Sequence, residues 1–200
     1  MTHPYLFFKS FADRFVAVLA LVILLPLLVL TALSVRCFLG SPVIFCQSRP
    51  GFRGKSFTLL KFRTMSDIRD VDGQMLPDSR RLTSFGRWLR SFSIDELPSL
   101  VNIARGNMSF VGPRPFVIPV SEYESIYLRR FKVLPGLTGW AQINGRNSIS
   151  WEKKFQLDCF YVDNVSFLLD CSILLRTLTV LFDTRLVSAE GHSTAPKYKP

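Results

Sequence analysis

FVAVLALVILLPLLVLTALSV, residues 15–35, carries no charge between Arg14 and Arg36. A helix of that length is roughly 30 Å long, enough to cross the hydrocarbon core of a bilayer. A signal peptide fits poorly, because the run is long for its apolar region and no A-x-A-like cleavage site follows. A buried core helix lacks the polar stripe that would mark a solvated face. Pro26 sits in the middle of the run, removes one backbone donor and crowds the carbonyl four residues back, so a kink is expected there. Lys9 and Arg14 precede the run, and Arg36, Arg49, Arg53, Lys55, Lys61 and Arg63 follow it. Basic flanks prefer the cytoplasmic side, and here both flanks are basic. A re-entrant helix–break–helix around Leu25 and Pro26 satisfies both ends; a single kinked span is the other arrangement.

The chain has 200 residues and a formal net charge of +10. That length suits one domain with a core of its own. Eighteen phenylalanines supply rings for an interior or a membrane face. The basic surplus attracts phosphates, whether of nucleic acid, anionic lipid or a phosphorylated substrate. Cys37, Cys46, Cys159 and Cys171 form no C-x-x-C pair, and His3 and His192 are the only imidazoles. This argues against a zinc site and for free thiols.

Residues 41–65 read as two short strands, Val43–Phe45 and Phe57–Phe62, around an R-P-G turn. A polar loop covers 69–79. In 79–92, Leu82, Phe85, Leu89 and Phe92 recur at helical spacing beside Trp88, with Arg80, Arg81, Arg87 and Arg90 on the polar side. This predicts an amphipathic helix, packed on the core or lying at a membrane surface with rings inward and arginines on lipid phosphates. A second helix is expected over 95–107, with Ser93 as N-cap and Gly106 closing it. A short strand and a proline-rigid turn follow in 108–119, then a helix over 121–133 and a turn-rich binding loop over 135–147. Residues 150–183 read as helical with a break near Asn164, and the tail as polar and extended.

Asp95 and Glu96 fall in the first turn of the predicted 95–107 helix. Acidic residues there complement the helix dipole, and most such pairs do only that. Here arginines surround them, and a carboxylate kept ionised by a helix start and by cations can serve as nucleophile or hard metal ligand. Magnesium takes one or two carboxylates together with substrate phosphates. These parts suit phosphoryl transfer, in which positioning and charge neutralisation dominate. No Walker A loop, G-x-G-x-x-G, G-x-S-x-G or H-E-x-x-H is present, so kinase, P-loop ATPase, Rossmann dehydrogenase and serine hydrolase readings lose their signatures.

Five stretches, in order, carry a family resemblance: KFRTM (61–65), SIDELPSL (93–100), GNMSFVGPRP (106–115), PGLTGWAQINGRN (135–147) and SWEKKFQLD (150–158). With them the chain resembles the monotopic bacterial phosphoglycosyl transferases, which start glycan assembly on a polyprenyl phosphate. The resemblance implies an α+β fold: a re-entrant membrane helix (1–40), a cytoplasm-facing catalytic domain (41–185) with interfacial amphipathic helices and a few short strands, and an extended tail (186–200). It implies a bacterial inner-membrane enzyme on the cytoplasmic face. Asp95 is then the nucleophile on a UDP-sugar, releasing UMP, and Glu96 is its partner. Both carboxylates are candidate ligands of Mg2+. Arg114, fixed between Pro113 and Pro115, is the first candidate for holding substrate phosphate; Lys61, Arg63, Arg90 and Arg146 are further ones. Leu25, Pro26, Phe85 and Trp88 are the membrane candidates. The best-known members have serine where this chain has Leu25, which leaves the sharpness of the break open. The tail SAEGHST resembles the minimal members that use UDP-N,N'-diacetylbacillosamine in protein glycosylation; UDP-GalNAc, UDP-GlcNAc or another sugar is the rival donor. The expected partners are that donor, a polyprenyl phosphate and membrane lipid, without nucleic acid and with homo-oligomerisation left open. A membrane-anchored adaptor without enzymatic activity, and a nucleic-acid binder, are the readings from other classes.

Overall fold

The structure is a computed structural model that describes residues 4–145 and 148–182. Helices α1 (Pro4–Ile23) and α2 (Leu25–Leu39) form the N-terminal arm. A hairpin of β1 (Ile44–Pro50) and β2 (Ser56–Phe62) follows, then α3 (Asp78–Arg81), α4 (Ser84–Ser91) and α5 (Ser99–Ala104). A parallel pair, β3 (Ser109–Val111) and β4 (Gly136–Thr138), frames the second half, which ends in α6 (Trp140–Ile143), α7 (Trp151–Asp163) and α8 (Phe167–Phe182). The fold is mixed helix and strand, as expected. The tail 186–200 lies outside the described residues.

No single described helix is long and apolar enough to cross a membrane; α1 and α2 pass together and are bent by 66°. The break falls at Leu24, two residues before Pro26, which sits in the first turn of α2. A proline is tolerated there because its missing N–H would have no intrahelical partner. Leu25 therefore opens α2 rather than marking the break.

The arm is inside-out for a water-soluble helix. Phe7, Phe8, Phe11 and Phe15 of α1 are exposed, whereas Lys9 and Ala17 are buried. Lys9 pairs with Asp170 of α8 at 2.7 Å and with Asp13 at 3.4 Å; Asp13 in turn accepts from Ser109 of β3 at 2.5 Å. Polar contacts thus fasten α1 to the domain while its rings face outward, an apolar area that water does not favour. The C-terminal end of α2 is closed by Arg63, whose guanidinium donates to the carbonyls of Leu39 and Ser41 and to Asp67.

Among the described residues, no third strand pairs with the outer edge of β2. The side chain of Asn102 takes that place: its amide donates to the Thr58 carbonyl at 2.7 Å and its oxygen accepts from Leu60 N–H at 3.0 Å. One turn earlier, Ser99 donates to the Leu60 carbonyl at 2.8 Å. Both side chains are buried, and Leu59, Leu100, Ile103 and Met108 pack around Ala17 in the same region. Helix α5 is therefore keyed to the hairpin residue by residue, which sets where the segment just before it must lie.

Three expectations change in detail. The second helix begins at Ser99, after a 3-10 turn at Ile94–Glu96, and Ser93 makes no side-chain cap but sits left-handed at φ 54°. Residues 120–122 and 125–132 form 3-10 turns rather than an α-helix. The loop over 135–147 contains β4 and α6, because Gly112 and Gly136 bring two backbones together; a Cβ on Gly136 would lie 2.1 Å from the Gly112 nitrogen. The break at Asn164 separates α7 from α8 as expected.

Replacing Asn102 by alanine leaves Leu60 N–H and the Thr58 carbonyl unpaired in a buried edge. A loss of about 2–3 kcal/mol in unfolding free energy is expected. Chemical denaturation in detergent measures it; a change below about 0.5 kcal/mol would show that α5 is not keyed in this way.

Candidate active site

The 3-10 turn carries Asp95 and Glu96 onto one face of the β1–β2 hairpin. In the antiparallel register Phe45 faces Lys61, Gln47 faces Leu59 and Arg49 faces Phe57, so these six side chains share one side. Glu96 reaches Lys61 across that side: Lys61 Nζ donates to Glu96 Oε1 at 2.5 Å. Arg114 Nη2 donates to the same oxygen at 2.8 Å. A small open cleft lies here, lined by Arg49, Lys61, Glu96, Ser99, Arg114 and Leu137. Asp95 stands next to this cleft, only 7% exposed, and is not part of its lining.

The two carboxylates are driven apart in acidity. Burial raises Asp95 most, Glu96 raises it further, and Lys61, Arg90 and Arg114 oppose them; the net result is about 6. For Glu96 burial also acts upward, but Arg114 and Lys61 outweigh it and hold the carboxyl well below the usual carboxylate range. The expectation that a helix start and arginines keep Asp95 acidic is therefore corrected. Asp95 lies in a 3-10 turn, and desolvation outweighs its cations. It is still mostly ionised near neutrality, as a poorly solvated and hence more reactive carboxylate.

Arg114 is held from behind. Arg130 donates through Nη2 to the Arg114 carbonyl at 2.6 Å and to Asp158 Oδ2 at 2.8 Å, and through Nη1 to the Tyr123 hydroxyl at 3.0 Å. Arg130 and Asp158 are 3% and 1% exposed, so this ion pair is fully internal. The rings of Phe116, Tyr123, Phe131 and Phe155 surround the guanidinium at 5.0–5.6 Å. Such a pair, once one partner is removed, leaves an uncompensated buried charge. It locks the P-R-P turn, flanked by buried Pro113 and Pro115, into the position from which Arg114 reaches Glu96.

Of the candidate residues, the structure brings Asp95, Glu96, Lys61 and Arg114 together. Arg90 is close enough for its charge to act on Asp95 and donates from Nε to Thr64 at 3.0 Å. Arg63 is taken up by the end of α2, away from the cleft lining. Arg146 lies outside the described residues. Phe85 and Trp88 belong to α4, whose Leu89 is buried while Trp88 is half exposed. Their rings continue a run from Phe38 of α2 to Phe92, with neighbouring centroids 4.9, 6.1 and 5.6 Å apart. Arg49, Arg130 and Asp158 were missed as contributors to the site. For Arg49 the signal was strand parity with Lys61; for the buried pair, polar residues inside otherwise apolar stretches.

Similarity to known proteins agrees with this constellation. The family description of bacterial sugar transferases matches residues 4–184. The chain belongs to that family. It is a phosphoglycosyl transferase, an enzyme rather than an adaptor. The chain is 49% identical over 191 residues to an uncharacterized sugar transferase, EpsL, of Bacillus subtilis, covering 95% of each. It is 40% identical over 187 residues to an undecaprenyl-phosphate glucose phosphotransferase of Komagataeibacter xylinus, covering 85% of this chain and 35% of that one. A UDP-glucose:undecaprenyl-phosphate glucose-1-phosphate transferase of Xanthomonas campestris is 38% identical over 182 residues, covering 84% of this chain and 37% of its own length. The sugar transferase thus spans nearly all of the first and little more than a third of the other two.

The raised Asp95 makes a stability prediction. Its folded value lies above the roughly 3.9 of an unfolded aspartate, so the ionised form opposes folding above about pH 6 and the opposition disappears below about pH 4. Asp95→Asn should raise Tm by roughly 3–6 °C near pH 8 and change it little near pH 4. An equal shift at both pH values would contradict a desolvated carboxylate.

Proposed function

We propose that this enzyme transfers a phosphosugar from a UDP-sugar to a polyprenyl phosphate, releasing UMP, in two steps through Asp95. The observation that carries the proposal is the pairing of a desolvated carboxylate with a cation-lined cleft. Asp95 is buried beside a carboxylate that Lys61 and Arg114 hold anionic. The names of the two glucose-transferring relatives support the same donor and acceptor classes.

In the first step an oxygen of Asp95 attacks the sugar-bearing phosphorus. The bond from that phosphorus to the bridging oxygen breaks, and its electron pair leaves with UMP. In the second step a polyprenyl phosphate oxygen attacks the same phosphorus, the aspartyl–phosphorus bond breaks, and the Asp95 carboxylate is restored. Lys61 and Arg114 neutralise charge on the phosphate oxygens as they release Glu96. Asp95 and Glu96 would also hold Mg2+, which supplies further neutralisation of the diphosphate. Among the described residues no third carboxylate, histidine or cysteine joins them, and this donor set suits magnesium, which is completed by substrate oxygens and water.

The arm supports a membrane setting for this chemistry. The 66° bend, the outward phenylalanines and the half-exposed Trp88 and Phe92 support a re-entrant α1–α2 with α4 at the same surface, on the cytoplasmic face of the bacterial inner membrane. For the sugar, the tail resemblance favours an N-acetylated amino sugar of the diacetylbacillosamine kind and a role in protein glycosylation. The names of the relatives favour glucose as a second reading.

UMP release in detergent with magnesium and undecaprenyl phosphate, over a panel of UDP-sugars, tests the reaction. One sugar should give UMP, and Asp95→Asn should abolish it. The value of kcat/KM should fall tenfold per pH unit below about 6, because protonated Asp95 is no nucleophile. No release from any sugar, or release unchanged in Asp95→Asn, contradicts the proposal. Tags at the two termini should be accessible from the same side of the membrane; opposite sides would contradict the re-entrant arm.

A further inference from the structure

One cation of the cleft is not used by the carboxylate pair, and its role, which rests on the reaction proposed above, can be read from its surroundings. Arg49 lies near the far end of β1, opposite Phe57, whereas Lys61 lies opposite Phe45 near the end that adjoins α2. Four residues of strand, about 13 Å, separate the two levels. Both side chains line the same cleft.

Their electrostatic situations differ. Lys61 and Arg114 share Glu96. Among the described residues no carboxylate lies within ion-pair distance of Arg49. Its Nη1 donates to the Pro115 carbonyl at 2.9 Å and its Nη2 to Gln47 Oε1 at 2.6 Å, both neutral acceptors. Its Nε is buried without a hydrogen-bond partner. Burial pulls Arg49 down to about 10, and Arg114 pushes the same way against Tyr123 and Glu96. A cation partly withdrawn from water and given no counter-ion is unfavourable until an anion reaches it. The Nε edge of a guanidinium is one side of the fork that binds phosphate oxygens in pairs.

We propose that Arg49 seats a phosphate of the nucleotide half of the donor, the half that leaves as UMP. Position along the hairpin selects that half over the lipid phosphate. The Lys61 end of the cleft follows directly on α2, the element on the proposed membrane side, so a lipid-borne phosphate meets Lys61 first. Arg49, about 13 Å farther along the strand, is placed for the soluble partner. There it stabilises the oxygen that takes the electron pair when the diphosphate breaks.

The test uses the full chain in detergent with UMP and uridine as probes, comparing wild type with Arg49→Gln, which removes the charge and the fork but keeps a polar side chain. Calorimetric affinity for UMP should fall roughly ten- to hundredfold, while affinity for uridine and the kcat/KM for undecaprenyl phosphate stay unchanged. UMP bound equally well by Arg49→Gln overturns the seat, as does a loss confined to undecaprenyl phosphate. Should Arg49→Gln not melt cooperatively, Arg49→Lys keeps the charge without the fork. It should weaken UMP several-fold relative to uridine, and unchanged UMP affinity there overturns the proposal too. These outcomes are separate from those of the reaction itself, which fails if wild-type enzyme releases no UMP from any UDP-sugar or if Asp95→Asn leaves release unchanged.

Discussion

Glu96 Oε1 accepts from Lys61 and Arg114 at once, and much of the molecule serves to bring those three residues together. Lys61 comes from β2, whose outer edge is completed by Ser99 and Asn102 of α5. The same helix follows the turn that carries Glu96, so one set of hydrogen bonds fixes both partners. Arg114 comes from a turn flanked by two prolines, whose carbonyl is tied through Arg130 to Asp158 on α7. Strand β2 and the P-R-P turn thus meet at a single carboxylate oxygen, and α7 holds the turn from behind. Because the pair Lys61–Arg114 keeps Glu96 anionic, the burial of the neighbouring Asp95 is felt as a raised affinity for protons. Two adjacent carboxylates are thereby given opposite shifts in acidity by their surroundings.

The second constraint is the outward-facing arm. Helix α1 buries a lysine and exposes phenylalanines, the reverse of a soluble amphipathic helix. Lys9, Asp13, Asp170 and Ser109 satisfy one another inside, and Tyr5 and Tyr161 both donate to Asp170. This polar seam sets the angle at which the arm leaves the domain. Arg63 does the same at the other end by closing α2. The cleft therefore keeps a defined position relative to the apolar surface, which the proposed reaction between a water-soluble donor and a lipid-borne acceptor requires.

Much of this was legible in the residues. The apolar run and its proline announced a broken helix; only the position of the break moved, because a proline is accommodated inside the first turn and displaces the bend upstream. The hairpin around R-P-G and the break at Asn164 followed from turn chemistry. The dyad was visible as an unusual D-E between arginines and a proline. What stayed hidden depends on tertiary contact. Nothing local in Asn102 says that it will substitute for a strand. Arg130 and Asp158 are separated by 28 residues and read as surface charges until rings close around them. Desolvation reversed the expected acidity of Asp95, since burial is a property of the assembled fold and not of the turn that carries the residue. Arg49 looked like one more flanking cation until the register placed it on the same face of the hairpin as Lys61.

The central claim is that Asp95 becomes covalently bound to the phosphosugar before the lipid acceptor takes part. Peptide mass spectrometry of enzyme mixed with magnesium and its UDP-sugar, with no polyprenyl phosphate present, tests it most directly. The account predicts about one equivalent of UMP per active enzyme and a phosphosugar adduct on the peptide containing Asp95. UMP release that begins only when polyprenyl phosphate is added, with Asp95 unmodified throughout, would contradict it.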